Sequence, residues 1–237
     1  MSMSHQRSLS ILALVASLLV SVPSRAEPMA CPNIEPLDLS SLLLAPPCDS
    51  CDITKAELVE LQQLQKSRTP EMVKHASDDY TRTLDRFLGG IGIPTDAEKM
   101  ASAQPLFACV AQITEDAVDK AKLKFNRTRP YNLPDNELQV LKAISPHDTS
   151  AYPSGHSAFG MVTGFILIET VPELRERILS RIEDFGFSRL ISGVHFRSDV
   201  YAGEIAGALI AQALFADNGF RSQIEDAKPA LRKAAGL

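Results

Sequence analysis

Apolar positions recur at helical spacing through most of the chain. Leu106, Val110, Ile113 and Val118 form a stripe that runs towards Phe125, the three-to-four-residue period of one buried helix face. Residues 154 to about 171, 172 to about 187, and 200 to 215 are also helical in pattern and strongly apolar. No period-two alternation holds over the length of a strand, and no internal repeat is visible. Helix starts can be read from polar residues. Thr54 with Glu57 has the spacing of a capping box and opens a helix to about Lys66. Thr69-Pro70-Glu71 starts another that Gly89-Gly90 ends, and Thr95 with Glu98 opens the one that carries the stripe. Gly89-Gly90-Ile91-Gly92 lacks a preceding strand and a following Lys-Ser or Lys-Thr, so it reads as a helix terminus and not a phosphate loop. Gly155, Gly160 and Gly164, then Gly203 and Gly207, place small residues where two helices can approach closely. The pattern predicts an all-α protein, a single helical bundle domain over residues 54–237.

The N-terminal quarter departs from this pattern. Residues 1–26 read as a cleaved signal peptide: Arg7 gives a positive start, the segment from Leu9 to Val22 is apolar, and Ser24-Arg25-Ala26 supplies small residues for cleavage. A retained anchor is the alternative, but the run is short for a membrane span. Export to the periplasm is therefore predicted. The later apolar helices are interrupted, as at Glu169 and Glu204, so no span is expected in the mature chain. Residues 27–53 carry Pro28, Pro32, Pro36, Pro46 and Pro47 and read as an irregular arm, anchored by Leu42-Leu43-Leu44, that lies on the domain or reaches a neighbour.

Charge and cysteines narrow the function. The formal net charge is −5, and removing the leader takes away two arginines and no acid. Such a chain is poorly suited to nucleic acid or an anionic membrane, so an anionic ligand would need a local cationic cluster. Four cysteines, Cys31, Cys48, Cys51 and Cys109, allow three full pairings in an exported chain. Cys48 and Cys51 have redox-motif spacing but no strand-helix-strand context, which favours a structural staple. Cys109, inside Leu-Phe-Ala-Cys-Val-Ala, reads as a buried thiol.

Three stretches hold candidate chemistry. The end of the stripe helix is basic, with Lys120, Lys122, Lys124, Arg127 and Arg129 and no acid among them. Lys122 and Arg129 are two helical turns apart, and Pro130 places Arg129 at the turn that leaves the helix. Favourable charge against the helix dipole is the bland alternative. In Tyr152-Pro153-Ser154-Gly155-His156, Ser154 can cap a helix, Gly155 lets a ligand reach the backbone, and orphan amides at that terminus suit an anion, with His156 beside it. In the third stretch, Arg189 offers a fork of donors and Asp199 stands four residues after His195, placed to orient its imidazole. Gly193 and Ser198 suggest a helix break and restart there, with Ser198 as the cap.

Together these follow the pattern Lys-x6-Arg-Pro, Pro-Ser-Gly-His, Ser-Arg-x5-His-x3-Asp over residues 122–199. The chain thus resembles the type 2 phosphatidic acid phosphatase superfamily, and is most similar to its soluble bacterial branch, the class A non-specific acid phosphatases. Ser150, Ala151 and Ser157 depart from the usual residues flanking the second motif, which bears on subclass and substrate. The resemblance implies a periplasmic phosphomonoesterase with an acidic pH optimum. His195 would be the nucleophile, His156 the general acid and Asp199 the residue that orients His195. Lys122, Arg129, Ser154, Gly155 and Arg189 would bind phosphate. Expected ligands are small phosphomonoesters (nucleotides, sugar or aryl phosphates), with inorganic phosphate or vanadate able to occupy the pocket. No cofactor is expected, and no metal: His147 with His156 and His195 could be imagined around zinc, but fixed cations already neutralise the phosphate. His75 and His147 read as ordinary surface or turn residues. The arm and the resemblance also point weakly to a homo-oligomer. A vanadium-dependent haloperoxidase, or a phosphate- or nucleotide-binding protein without turnover, are the competing readings.

Overall fold

The computed structural model describes residues 31–237 except 33, 36, 97–99, 135 and 142–149. The leader, Glu98 and His147 therefore lie outside the described residues. Among the described residues the protein is all-α, and extended backbone pairs only in a bridge between Thr128 and Ser150. The helices are α1 Leu39–Leu42, α2 Asp52–Ser67, α3 Pro70–Asp78, α4 Leu84–Gly90, α5 Gln104–Phe125, α6 Gly155–Thr170, α7 Arg175–Ile191, α8 Arg197–Ala216 and α9 Asn218–Ala234. Single 3-10 turns occupy Pro130–Asn132 and Pro172–Leu174.

Helix α6 is the axis of the bundle. It is apolar nearly all round, which only a surrounded helix tolerates, and it packs against α5, α7 and α8 with Ala158, Phe159, Val162, Ile166 and Leu167 fully buried. Glycine sets the α6–α8 separation. A Cβ on Gly203 would stand 2.3 Å from the Ser154 carbonyl oxygen, and one on Gly207 2.5 Å from that of Ala158. The backbone of α8 thus lies against the first turns of α6, where the Pro-Ser-Gly-His stretch sits. By length and composition α8 is long and apolar enough to cross a membrane, despite Glu204, and half of its apolar window is buried inside the bundle.

Several element boundaries differ from the sequence expectation for identifiable reasons. Helix α2 starts at Asp52, and Thr54 and Glu57 do not form a capping box: Thr54 is buried and both side chains accept from Arg127. The helix predicted from Thr69 to Gly90 is two. Thr69 and Thr83 each cap a helix, and between them Asp79 is a buried carboxylate held by Arg86, Arg181 and Ser188. Helix α5 begins at Gln104, with Pro105 in its first turn, well after Thr95. Helix α9 was not anticipated. Asp217 caps it, accepting from the Phe220 amide at 2.7 Å, and Phe220, Ile224, Ala227 and Leu231 are its buried face.

In the arm, Leu39 and Leu43 are buried one helical turn apart while Leu42 and Leu44 are exposed, so the anchor is a pair at helical spacing and not the leucine triplet. Cys109 is buried but is not a thiol. It is joined to Cys31, tying the arm to α5, and Cys48 is joined to Cys51 at the start of α2.

Candidate active site

The three motif stretches meet at one end of the bundle. Asn126 adopts a left-handed conformation (φ 45°) that ends α5, a conformation asparagine tolerates better than most residues. The chain then runs extended through Arg127, Thr128 and Arg129, which sends residues 127 and 129 to the same side. Arg129 reaches the segment that precedes α8, and Arg127 reaches the first turn of α8. Arg129 donates from Nη1 to the Val194 carbonyl at 2.8 Å, and that nitrogen is 3.3 Å from His195 Nε2. A guanidinium only donates, so Nε2 is the unprotonated nitrogen and the ring proton is on Nδ1. His195 Nδ1 faces Asp199 Oδ2 at 3.5 Å, and the same oxygen accepts from the Phe196 amide at 2.7 Å.

His195 thus lies just outside α8. The break and restart are present, but the cap differs from expectation: Phe196 is the N-cap residue, Asp199 receives its amide, and Ser198 sits within the first turn, where it bonds to Glu57 and Arg127. Burial pushes the Asp199 carboxyl up to about 6, against the pull of Arg127.

Ser154 caps α6, accepting from the Ser157 amide at 3.3 Å, while its own amide donates to the Asp199 carbonyl at 2.9 Å. The Pro-Ser-Gly-His turn and the His195–Asp199 pair are therefore joined through the backbone. Val118 of α5 lies 3.5 Å from where a Gly155 Cβ would be, and Lys122, one turn further along α5, is 9% exposed with Nζ 3.9 Å from Asp119. His156 Nε2 donates to the Tyr80 carbonyl at 3.1 Å, and its ring stacks on Phe185. Burial first, then Arg189 and Arg82, hold His156 well below the usual imidazole range, so it is neutral in the ligand-free pocket.

Arg189 is 1% exposed. It donates from Nη2 to the Ala76 carbonyl at 2.9 Å and packs against the Tyr80 ring. Among the described residues it forms no ion pair. Burial is the main force pulling it down to about 10, with Arg129 and Arg82 adding to it. Such a buried cation is stabilised by an arriving anion.

Sequence reasoning missed four contributors. Arg82, in the turn between α3 and α4, approaches the Gly155 Cβ position at 3.3 Å and pairs with Glu115 at 2.6 Å. Tyr80 meets both His156 and Arg189, and Arg127 pairs with Asp199 at 2.6 Å. His75, read as an ordinary surface residue, belongs to an ion network: it bonds Asp184 at 2.7 Å and lies beside Asp79, Arg86 and Arg181. Only Arg127 left a sequence signal, its two-residue spacing from Arg129. His75, Asp79 and Asp184 bring metal-ligand atom types within 4.8 Å of one another, but Arg181 and Arg86 already neutralise the carboxylates there.

The structure brings buried arginines, the N-terminus of α6 and two histidines to one end of an all-α bundle. A PAP2 superfamily profile matches residues 104–222, half of the chain and all three motifs, and the chain belongs to this superfamily. It is 33% identical to an acid phosphatase of Zymomonas mobilis over 60% of this chain and 54% of that protein. It is 32% identical to a non-specific acid phosphatase of Providencia stuartii over 55% of each chain, and 37% identical to one of Salmonella typhimurium over 39% of this chain and 38% of that one. The chain spans about half the length, or less, of these curated relatives. Among solved structures, a bacterial vanadium-dependent iodoperoxidase aligns with a TM-score of 0.54 at 17% identity, covering 73% of this chain and 51% of that one. A transmembrane phosphatidylglycerolphosphate phosphatase of Bacillus subtilis aligns at 0.52 and 20%, covering 78% and 92%. These two likenesses show the shared helical fold.

Proposed function

We propose that this chain is a phosphomonoesterase that works through a phosphohistidine at His195. The observation that carries this reading is a buried imidazole whose Nε2 faces the Arg129 guanidinium while a carboxylate stands behind Nδ1. Binding alone needs only the cations. The acid phosphatase names of the sequence relatives support the same reading.

The substrate phosphate docks between Arg129, Arg189 and Lys122 and the start of α6, where the Ser154 hydroxyl and the Gly155 amide can donate to it and charge spreads in the transition state. His195 Nε2 attacks phosphorus and the ester oxygen leaves. Asp199 stabilises the imidazolium character that develops on His195. His156, neutral in the empty pocket, binds a proton when the dianion offsets the neighbouring arginines, and gives it to the departing oxygen. A water molecule then attacks the phosphohistidine, His156 takes its proton, and inorganic phosphate leaves with His195 restored. No step needs a metal, because fixed cations neutralise the phosphate. Substrates are small phosphomonoesters: nucleotides, sugar phosphates or aryl phosphates. Residues 1–26 serve as the export signal to the periplasm, residues 27–53 as an arm and residues 54–237 as the catalytic domain.

The test is hydrolysis of para-nitrophenyl phosphate across pH, with and without chelator, by wild type, His195→Ala and His156→Ala. Expected are chelator-resistant turnover in the wild type, none in the first variant and a severe reduction in the second. Full turnover by His195→Ala overturns the nucleophile. Halide oxidation that appears only after vanadate addition, with no ester hydrolysis, assigns the pocket to haloperoxidase chemistry.

A further inference from the structure

Arg127 is buried like Arg129 and Arg189, but its partners lie behind His195, on the side of Asp199. Its Nη1 donates to Asp199 Oδ1 and to Ser198 Oγ, both at 2.6 Å. Its Nη2 donates to Glu57 Oε2 at 3.1 Å and Thr54 Oγ1 at 3.2 Å, and the guanidinium lies over the Phe196 ring, 4.3 Å from its centroid. Glu57 in turn accepts from the Ser198 amide at 2.6 Å and hydroxyl at 2.9 Å. The first turn of α8 is thereby clamped to α2 through one guanidinium and one carboxylate.

Asp199 divides its two oxygens between two tasks. Oδ2 faces His195 and the Phe196 amide, and Oδ1 is taken by Arg127. A carboxylate with no exposure keeps its charge only if paired and hydrogen-bonded. We propose that Arg127 is a positioning residue: its grip on Oδ1 fixes Asp199 as an oriented anion behind His195, and Glu57 of α2 holds Arg127 in place. Helix α2 then serves the catalytic pair without touching phosphate. The inference rests on His195 being the nucleophile.

The charged and titratable groups around the pair set the sign of the test. Arg127 and Arg129 come from the segment after α5, Glu57 from α2 and Tyr152 from the turn before α6. His156 on α6 and Arg189 on α7 complete the set on the phosphate side. Removing the Arg127 cation makes protonation easier for both Asp199 and His195, so the acid limb of the pH profile moves up. Removing the Glu57 anion has the opposite effect, and the limb moves down. The limb belongs to the pair as a whole.

The experiment measures para-nitrophenyl phosphate hydrolysis against pH, inhibition by inorganic phosphate, and melting temperature, for the full chain with Arg127→Met, Arg127→Lys or Glu57→Gln. Arg127→Met is expected to lose about 10- to 100-fold in kcat, as when outer partners of a working imidazole are removed. Its acid limb should rise by about one pH unit, and phosphate inhibition should stay within about threefold of wild type because the ground-state contacts are intact. Glu57→Gln should lose less kcat and shift the limb downward. If Arg127→Met does not fold, Arg127→Lys keeps the charge and carries the test with Glu57→Gln: kcat falls while the limb stays in place. Limbs that stay put in both Arg127→Met and Glu57→Gln, or shift in one direction in both, overturn the proposal. So does a loss of phosphate inhibition in step with kcat. A separate result, His195→Ala that still turns over, refutes the underlying reading regardless of Arg127.

Discussion

Helix α7 carries two buried arginines, Arg181 and Arg189, eight residues apart and therefore about two turns along one face, and they differ in what surrounds them. Arg181 is held by carboxylates: Nη1 and Nη2 reach Asp79 at 3.0 and 2.5 Å, and Nη1 also reaches Asp184 at 2.8 Å. Arg189 meets the Ala76 carbonyl, the Ser192 hydroxyl and the Tyr80 ring, and burial pulls it down to about 10. The first is a finished ion network that joins α3, α4 and α7. The second is a buried charge with no carboxylate in ion-pair contact among the described residues. Burial of a guanidinium is common to both, so burial alone does not distinguish them; the lack of a carboxylate contact for Arg189 among the described residues does.

The largest effect is expected at Arg181. Arg181→Leu strands Asp79 as a buried carboxylate beside Arg86 and Ser188, and should cost about 3–5 kcal/mol of stability, read by urea unfolding. Loss of activity should follow only as the fold is lost. Arg189→Leu should do the reverse. It is expected to lose about 100- to 1,000-fold in kcat/KM, as when one transition-state donor is removed, with melting temperature unchanged or raised because a desolvated charge has gone. Equal stability losses in the two variants would remove the distinction.

A smaller effect tests whether the phosphate side depends on the α6–α8 contact. Gly203→Ala would place a Cβ 2.3 Å from the Ser154 carbonyl and should destabilise by about 1–3 kcal/mol, with weaker inhibition by inorganic phosphate as the α6 N-terminus shifts.

The smallest effect expected concerns pH. The proposed mechanism needs Asp199 ionised, which burial opposes by lifting its carboxyl to about 6. It also needs His156 protonated, which burial, Arg189 and Arg82 oppose by holding it well below the usual imidazole range, so the two required states coincide in only a small fraction of the free enzyme. The result is a low maximum of kcat/KM on the acidic side. A bound phosphate dianion offsets those arginines and raises His156, so the alkaline limb of kcat should lie about one pH unit above that of kcat/KM. Coincident limbs would show that the cations around His156 are neutralised before substrate arrives.

The sequence carried the all-α class, because an apolar period of three to four residues is local, and it carried the three motifs for the same reason. Ser154 as a cap, Arg129 beyond the helix end and His195 ahead of α8 could be read from neighbouring Pro, Gly and Ser residues. The missed features depend on distant partners. Thr54 and Glu57 have the spacing of a capping box, but Arg127, some seventy residues away, takes both. Asp79 interrupts a predicted helix because Arg181, more than a hundred residues on, binds it. Arg82 and Tyr80 sit in a turn with no motif of its own, and Cys109 pairs with a cysteine 78 residues earlier. Local pattern thus predicted most of the helices and drew out the three motif stretches, whereas the long-range contacts around them became visible only when the chain folded.

The most direct measurement is of the covalent intermediate. Wild-type protein mixed with excess para-nitrophenyl phosphate, quenched within milliseconds into alkali and digested, is analysed by mass spectrometry for phosphorylated peptides, with His195→Ala as control. Phosphate is expected on His195, formed as fast as the first turnover and absent from the control. A wild type that turns over with no phosphorylated His195, or with phosphate on another residue, would contradict the assignment of His195 as nucleophile.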